Sequence, residues 1–174
     1  MDKYLKATLT QIQAEKRFSL FPTHRNINYN LFLKCKKGES YEGDLKVTFE
    51  LQVVGALFLD YAGTGIQHIA VNGNKLETTD NYESLRDRRF LNIPESSLQV
   101  GKNTIEIKFS NLYANDGLGM HSFTDTDGKQ YIYSQCEPYS ANKVFPCFDQ
   151  PDLKATLTLT MAVPDDWVAI SNQP

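Results

Sequence analysis

Two polar side chains of complementary chemistry stand two residues apart, at Gln135 and Glu137, on either side of Cys136. Successive side chains of a β-strand point to opposite faces, so within a strand the glutamine and the glutamate would share one face. A carboxylate accepts charge-assisted hydrogen bonds from a cation, and an amide offers one acceptor and two donors. The spacing alone favours a solvated polar strand face over a binding site.

Other patterns of chemically active residues are weaker. The three histidines have no ligand spacing to one another or to a cysteine, so a metal site within the chain is not expected. The three cysteines are odd in number and lack Cys-x-x-Cys spacing, which favours buried free thiols over a disulfide framework or a zinc knuckle. Gly63-x-Gly65 and Gly117-x-Gly119 lack a third glycine and a following helix, so they are interpreted as turn glycines and not as phosphate-binding loops.

The segment Asp125-Thr126-Asp127-Gly128 has the acidic spacing of half a calcium loop, without its third acidic position or its terminal glutamate. An Asp-Gly hairpin turn between two strands explains it better. Asp127 and Gly128 would then fix the strand register, and with it the face that carries Gln135 and Glu137.

A rigid corner is predicted at Phe145-Pro146-Cys147-Phe148-Asp149-Gln150-Pro151. The prolines remove backbone donors and fix φ, while Phe145 and Phe148 can be buried beneath the turn. Asp149 is expected to bond the turn backbone. We predict that Phe145, Pro146, Phe148, Asp149 and Pro151 give structural support to Glu137 and have no chemical role.

The elements that would position these residues are short strands. Leu9 and Ile12, with Leu5 before them, have helical spacing, and Thr10 with Gln13 predicts a capping box for one short helix that ends near Arg17. Apolar residues then alternate with a period of two. Strands are predicted over residues 26–35, 45–53, 57–61, 66–71, 89–93, 103–109, 120–124, 130–135, 153–163 and 167–171, with a hairpin turn at Asn72-Gly73. This pattern predicts an all-β fold, a large curved sheet or sandwich.

Composition narrows the function classes. A length of 174 residues fits one domain, and a net charge of −3 without a basic stripe makes nucleic acid an unlikely partner. Neither an apolar run of membrane-spanning length nor a signal peptide is present in the sequence. We therefore expect no membrane contact and a cytoplasmic location.

The run from Tyr131 to Pro151 resembles the signature that closes the N-terminal domain of M1-family zinc aminopeptidases. Gln135 and Glu137 stand where the family keeps a Gln-x-Glu. The remaining positions follow the family's Phe-Pro-Cys-Phe-Asp-x-Pro: Phe145, Pro146, Cys147, Phe148, Asp149 and Pro151. Similarity is best to the aminopeptidase N branch and extends, more weakly, back to about Arg17.

The resemblance implies an N-terminal domain built as a large twisted sheet backed by smaller ones. It implies a parent enzyme in which a zinc-activated water hydrolyses the first peptide bond of peptide substrates. Glu137 would bind the free α-ammonium of the substrate. Gln135 would line the pocket for the first side chain or contact its backbone.

The family's zinc-binding His-Glu-x-x-His and its Gly-x-Met-Glu-Asn motif do not occur in this sequence. We therefore expect residues 1–174 to form a single N-terminal β domain, with residues 1–20 as a leader and the catalytic domain, its partner, after residue 174. Zinc would belong to the parent and not to this chain. The contact with the catalytic domain is expected around Tyr139 and near Trp167. The alternative is a non-catalytic scaffold or interaction domain that has kept the fold.

Overall fold

The computed structural model describes residues 9–24, 26–76, 86–87 and 90–172, the pair 86–87 by its backbone only. Helix α1 spans Gln11–Phe18, and short 3-10 helices span Glu95–Ser97 and Ala141–Lys143. The strands of the described part are β1 (Ile27–Cys35), β2 (Ser40–Leu51), β3 (Leu57–Asp60), β4 (Gly65–Val71), β5 (Asn74–Lys75), β6 (Arg86–Asp87), β7 (Phe90–Ile93), β8 (Gly101–Leu112), β9 (Gly119–Thr124), β10 (Gln130–Gln135) and β11 (Ala155–Ala162). The all-β fold class is confirmed.

The largest sheet has six strands in the order β11-β1-β2-β8-β4-β5. Strand β11 lies parallel to β1, and the other pairs are antiparallel. Strand β2 alternates as predicted: Tyr41 and Val47 are fully buried, while Lys46 on the outer face forms an ion pair with Glu106 of β8 at 2.9 Å. The outer face is polar, so the core lies on the other side of this sheet.

A three-stranded sheet in the order β3-β7-β6 contributes to the same core. Leu57 and Leu59 of β3 and Leu91 of β7 join one hydrophobic cluster with the buried face of the large sheet. Phe148 extends this cluster to the predicted corner, since its ring lies 5.5 Å from that of Phe49 in β2. The corner that follows the Gln-x-Glu is therefore packed on the core of the domain.

Helix α1 begins with the predicted capping box. The Thr10 side chain accepts a hydrogen bond from the Gln13 amide, and the Gln13 side chain accepts one from the Thr10 amide. The helical spacing of Leu9 and Ile12 predicted that Ile12 faces the core, and this prediction is wrong, because Ile12 is 65% exposed. Arg17, only 1% exposed, is the helical residue that enters the domain. Leu5 lies outside the described residues.

Strands β9 and β10 form a separate antiparallel hairpin, with Thr124 opposite Gln130 and Gly119 opposite Gln135. The turn between them is closed by bonds from the Asp125 amide to the Lys129 carbonyl and from the Gly128 amide to the Asp125 carbonyl, both 2.9 Å. Gly128 has a φ of +79°, a conformation that glycine adopts without steric cost. The predicted hairpin turn is thus present.

The predicted strand over residues 167–171 is wrong, because this segment is irregular. Trp167 packs partly against the core, whereas Val168 and Ile170 project into solvent and no strand of the described part pairs with them. The last long strand begins at Ala155, two residues later than expected, after a turn at 151–153. Val53 is exposed beyond the end of β2, and Arg89 lies outside the described residues.

Within these described ranges, the structure contains no helix of the length and apolarity that crossing a membrane would require.

Candidate functional site

Gln135 is the last residue of β10 and is exposed. It pairs with Gly119, the first residue of β9. The alternation of the strand places Gln135 on the same face as the exposed side chains of Tyr131 and Tyr133. The glutamine therefore stands at the end of an exposed aromatic strip on this hairpin.

Glu137 lies beyond the strand, in a turn over residues 137–140. The expectation that Gln135 and Glu137 both lie within one strand is therefore wrong. The partner strand β9 begins at Gly119, which pairs with Gln135. Gly117 and Gly119 have φ values of +83° and +70°, so the backbone before β9 is not extended and offers no strand residue to pair with Glu137. Both side chains are nevertheless exposed, and the intervening Cys136 is half-buried.

The carboxylate of Glu137 and the amide of Gln135 are both available for a ligand. Within residues 9–24, 26–76 and 90–172, neither side chain has a hydrogen-bond or ion-pair partner. An exposed, unpaired carboxylate can accept hydrogen bonds from an ammonium group, and an amide can both donate and accept.

The turn that carries Glu137 is tied to the interior of the domain. The Ser140 amide donates to the Cys136 carbonyl at 2.8 Å and closes the turn. The Tyr139 hydroxyl donates to Oδ1 of Asp60 at 2.7 Å. The peptide bond between Glu137 and Pro138 is cis. Tyr139 itself is half-buried, and the expected contact of the surrounding surface with a catalytic domain stays a prediction.

Asp60, at the end of β3, is fully buried and joins several segments. Its Oδ2 accepts from Nη1 of Arg17 at 2.7 Å and from the Asp149 amide at 2.9 Å. Nε of Arg17 donates to Oε1 of Gln150 at 3.0 Å, and the guanidinium lies 4.5 Å from the ring centre of Phe58. Helix α1, strand β3 and the corner therefore meet at one carboxylate.

The corner itself is bonded by side chains as well as packed. Oδ2 of Asp149 accepts from the backbone amide of Asn142 at 3.0 Å and from its Nδ2 at 2.7 Å. The Phe148 amide donates to the Tyr29 hydroxyl at 2.9 Å. The Phe145 ring lies edge-on to that of Tyr29 at 5.8 Å. These contacts hold the backbone on the C-terminal side of the Glu137 turn.

Burial controls the protonation of these groups. Burial raises the pKa of the Asp60 carboxyl, while the Arg17 guanidinium and the Tyr139 hydroxyl act in the opposite direction. Burial, together with the nearby Asp60, raises the pKa of Tyr139, so its hydroxyl keeps its proton as a donor at neutral pH. Burial also raises the pKa of the Cys147 thiol. The thiols of Cys35 and Cys136 likewise have raised pKa values because of burial.

The predicted supporting residues occupy two places. Phe145, Pro146, Phe148 and Asp149 lie in the corner, with Pro151 exposed at its end. Asp127 lies in the hairpin turn, where its carboxylate accepts from the Lys129 amide at 2.9 Å, a bond that lowers its pKa. Their contribution to the function of Glu137 stays a prediction.

Sequence reasoning missed the network of Arg17, Asp60 and Tyr139. The only available signals were an aspartate that ends the apolar run Leu57-Phe58-Leu59 and an arginine at the end of a short helix. Arg17 precedes Asp60 by 43 residues, and Tyr139 follows Asp60 by 79. Such a distance leaves no local spacing pattern to detect.

In the part of the chain that the structure describes, no group of three or more His, Cys, Asp or Glu residues is arranged to hold a metal ion. At the corner, Oδ2 of Asp149 accepts hydrogen bonds from Asn142.

Comparisons with known proteins agree with the fold. Aminopeptidase N of Streptomyces lividans is 32% identical over 169 residues, which cover 95% of this chain and 19% of that protein. Human aminopeptidase Q is 42% identical over 74 residues, covering 40% of this chain and 8% of its own length. The chain thus spans about a fifth or less of these relatives.

Solved structures show the same architecture. A mutant M1 zinc metallopeptidase from Deinococcus radiodurans, bound to a Tyr-Ser-Ala substrate, superposes with a TM-score of 0.59 at 19% identity, over 83% of this chain and 34% of that chain. A two-domain M1 zinc metallopeptidase bound to L-arginine gives a TM-score of 0.62 at 18% identity, over 84% and 34%. The Peptidase M1 N-terminal domain family matches residues 9–174. With nearly its whole length matched, this chain belongs to the Peptidase M1 N-terminal domain family.

Proposed function

We propose that this chain is the N-terminal substrate-recognition domain of a zinc-dependent aminopeptidase that releases N-terminal amino acids from peptides. Glu137 binds the free α-ammonium of the substrate. Gln135, on the adjacent strand end, lines the pocket for the first side chain. The observation that carries the proposal is the exposed carboxylate of Glu137, which has no partner among the described residues and stands on an anchored turn.

The proposed preference of Glu137 for a free N-terminus follows from charge. A free ammonium offers three donors and a positive charge, and a carboxylate in a cleft closed off from water binds it more strongly than a neutral group would. An acetylated N-terminus has no such charge. The proposed domain therefore distinguishes a chain end from an internal peptide bond.

Zinc would be held outside this chain. In such a parent, bound zinc would supply Lewis-acid chemistry for the hydrolysis of the first peptide bond. The proposed contribution of this chain is to bind and orient the substrate through Glu137 and Gln135. The chain alone is expected to bind no catalytic zinc and to release no amino acid.

The partner surface proposed for the catalytic domain lies on the hairpin and the C-terminal segment, where exposed aromatic residues stand beside charged ones such as Lys37 and Asp166. Phe123 and Tyr131 stack at 5.3 Å on the exposed face of the hairpin. On the other side, a groove of about 820 Å³ lies between the hairpin and the C-terminal segment, with Ile132 and Trp167 in its lining. Large contiguous apolar surfaces on a soluble domain commonly mark a contact with another protein surface.

The test uses the full-length protein that contains this chain. Purified with zinc, it should release the first residue from a panel of unblocked peptides and leave their N-acetylated counterparts intact. Removal of zinc by a chelator should abolish release, and added zinc should restore it. A zinc-free protein without His-Glu-x-x-His downstream of residue 174, or one that cleaves blocked and free peptides equally, would contradict the proposal. The first of these results would favour the scaffold alternative.

A further inference from the structure

Tyr139 occupies a special position in the turn that carries Glu137. It lies two residues after Glu137 and is half-buried. Its hydroxyl donates a 2.7 Å hydrogen bond to Oδ1 of Asp60, on a strand 79 residues earlier in the chain. In the described part of the chain, this is the one side-chain hydrogen bond that joins residues 137–140 to another segment.

The acceptor of this bond is itself fixed. Asp60 is fully buried, and its second oxygen is held by Arg17 at 2.7 Å and by the Asp149 amide at 2.9 Å. The Asp60 backbone also pairs with Cys147, through bonds of 2.7 Å and 3.1 Å. A carboxylate held in this way has little freedom to follow a moving turn.

The C-terminal end of the turn is anchored, because Ser140 is buried and leads into the corner, but the segment next to Glu137 has fewer contacts. Pro138 has no amide proton to donate, and the bond from Ser140 to Cys136 closes the turn without attaching it to the domain. The Glu137 side chain has no partner of its own within the described ranges. The position of its carboxylate therefore depends on how the turn is attached to the domain.

We propose that Tyr139 is a positioning residue for substrate binding, which acts by attaching the Glu137 turn to the buried Asp60. The proposal rests on the proposed role of Glu137 as the ammonium-binding group. Without the hydroxyl, the turn keeps its ring packing and its C-terminal anchor but loses the side-chain bond that ties it to strand β3. A displacement of about 1 Å at a substrate-positioning group is enough to reduce rates roughly a hundredfold.

The experiment is a double-mutant cycle in the zinc-loaded full-length enzyme, with Tyr139→Phe, Glu137→Gln and the double variant. The measured quantity is kcat/KM on one unblocked aminoacyl substrate. Tyr139→Phe should lower kcat/KM roughly tenfold when Glu137 is present. In the Glu137→Gln background the same change should have less than about a twofold effect, because the group that it positions has lost its charge.

The matched control is Tyr113→Phe. Tyr113 is also half-buried, and its hydroxyl bonds the amide and the carbonyl of Lys36, both at 3.1 Å, and not a residue of the Glu137 turn. This variant should leave kcat/KM within about twofold in both backgrounds. Zinc content should be equal in all variants.

Each result separates the possible failures. An equal loss from Tyr139→Phe in both backgrounds would overturn the proposal, because it would show a general effect on folding. No loss from Tyr139→Phe, together with a large loss from Glu137→Gln, would overturn it and leave the proposed function intact. A Glu137→Gln enzyme with wild-type kinetics would overturn the proposed function, and the positioning role with it.

Discussion

Glu137 has an exposed carboxylate and lies in a turn that a hydrogen bond between Tyr139 and the buried Asp60 attaches to strand β3. The Gln-x-Glu could be found in the sequence because its residues are adjacent and belong to a recognisable signature. The residues behind it could not, because a buried bond between positions 60 and 139 leaves no periodicity in the chain. Local patterns thus predicted the groups that we propose to contact the ligand, and only the folded chain shows which residues hold them in place.

Gln135→Ala tests the side-chain pocket. The amide stands at the strand end on the face of Tyr133, so its loss should change which first residues are accepted while the ammonium contact remains. Across a panel of aminoacyl substrates, the ratio of kcat/KM between large and small first residues should shift by roughly tenfold. Ser134→Ala, on the opposite face of the same strand, is the control and should leave the ratio unchanged. A uniform loss across the panel would argue against a pocket role for Gln135.

At the scale of elements, the hairpin β9–β10 and the corner lie on either side of the turn that carries Glu137. Period-two alternation predicted most strands, and the Asp127-Gly128 and Asn72-Gly73 turns were found from their turn chemistry. The segment 167–171 was predicted wrongly because alternation describes a surface but not a pairing partner, and no strand of the described part lies beside it. Helix α1 was predicted from its capping box, yet its buried residue is Arg17 and not Ile12.

Arg17→Met tests how strongly helix α1 is coupled to the rest of the domain. The substitution leaves Asp60 buried without its cation, and breaking a buried ion pair on one side typically costs about 3 to 5 kcal/mol. Lys46→Met is the matched control: its ion pair with Glu106 is half-exposed, so it should cost less than about 1 kcal/mol. Urea unfolding of the chain measures both free energies. Equal decreases in the free energy of unfolding for the two variants would show that the buried ion pair stabilises the domain no more than the exposed one.

At the scale of the whole molecule, one core unites the large sheet, the three-stranded sheet and the corner. Both the all-β class and the family could be predicted from the sequence, since strand alternation and the signature motif are local. The order of strands in the sheet could not be predicted from the sequence. Strand β11 pairs in parallel with β1, more than a hundred residues earlier in the chain, and no local pattern specifies that pairing.

The stability of the chain should depend on pH at the alkaline end. Burial raises the pKa values of the Cys147 thiol and of the Tyr41 and Tyr139 hydroxyls in the folded state. In the unfolded chain thiols ionise near pH 8.5 and tyrosines near pH 10. Above these values the unfolded state has released protons that the folded state retains, so the free energy of unfolding falls as pH rises.

Urea unfolding at pH 7, 8, 9 and 10 measures this dependence. The free energy should be nearly constant up to about pH 8 and decline above about pH 9. Cys147→Ala should make the decline shallower, because one of the titrating groups is gone. A free energy that is flat from pH 7 to pH 10 would contradict the effect of burial on these groups.

The most direct test of the central claim is the kinetic effect of Glu137 substitutions in the full-length enzyme. If Glu137 holds the substrate ammonium, Glu137→Ala should cost about 2 to 5 kcal/mol, a fall in kcat/KM of roughly thirtyfold to a few thousandfold. Glu137→Gln should do nearly as much harm, because it keeps the shape and removes the charge. Glu42→Ala, which removes an exposed carboxylate paired with Lys36 on the outer face of the large sheet, should leave kcat/KM unchanged. Zinc content should be constant throughout, and a Glu137→Ala enzyme within about threefold of wild type, less than ~0.7 kcal/mol, would contradict the account.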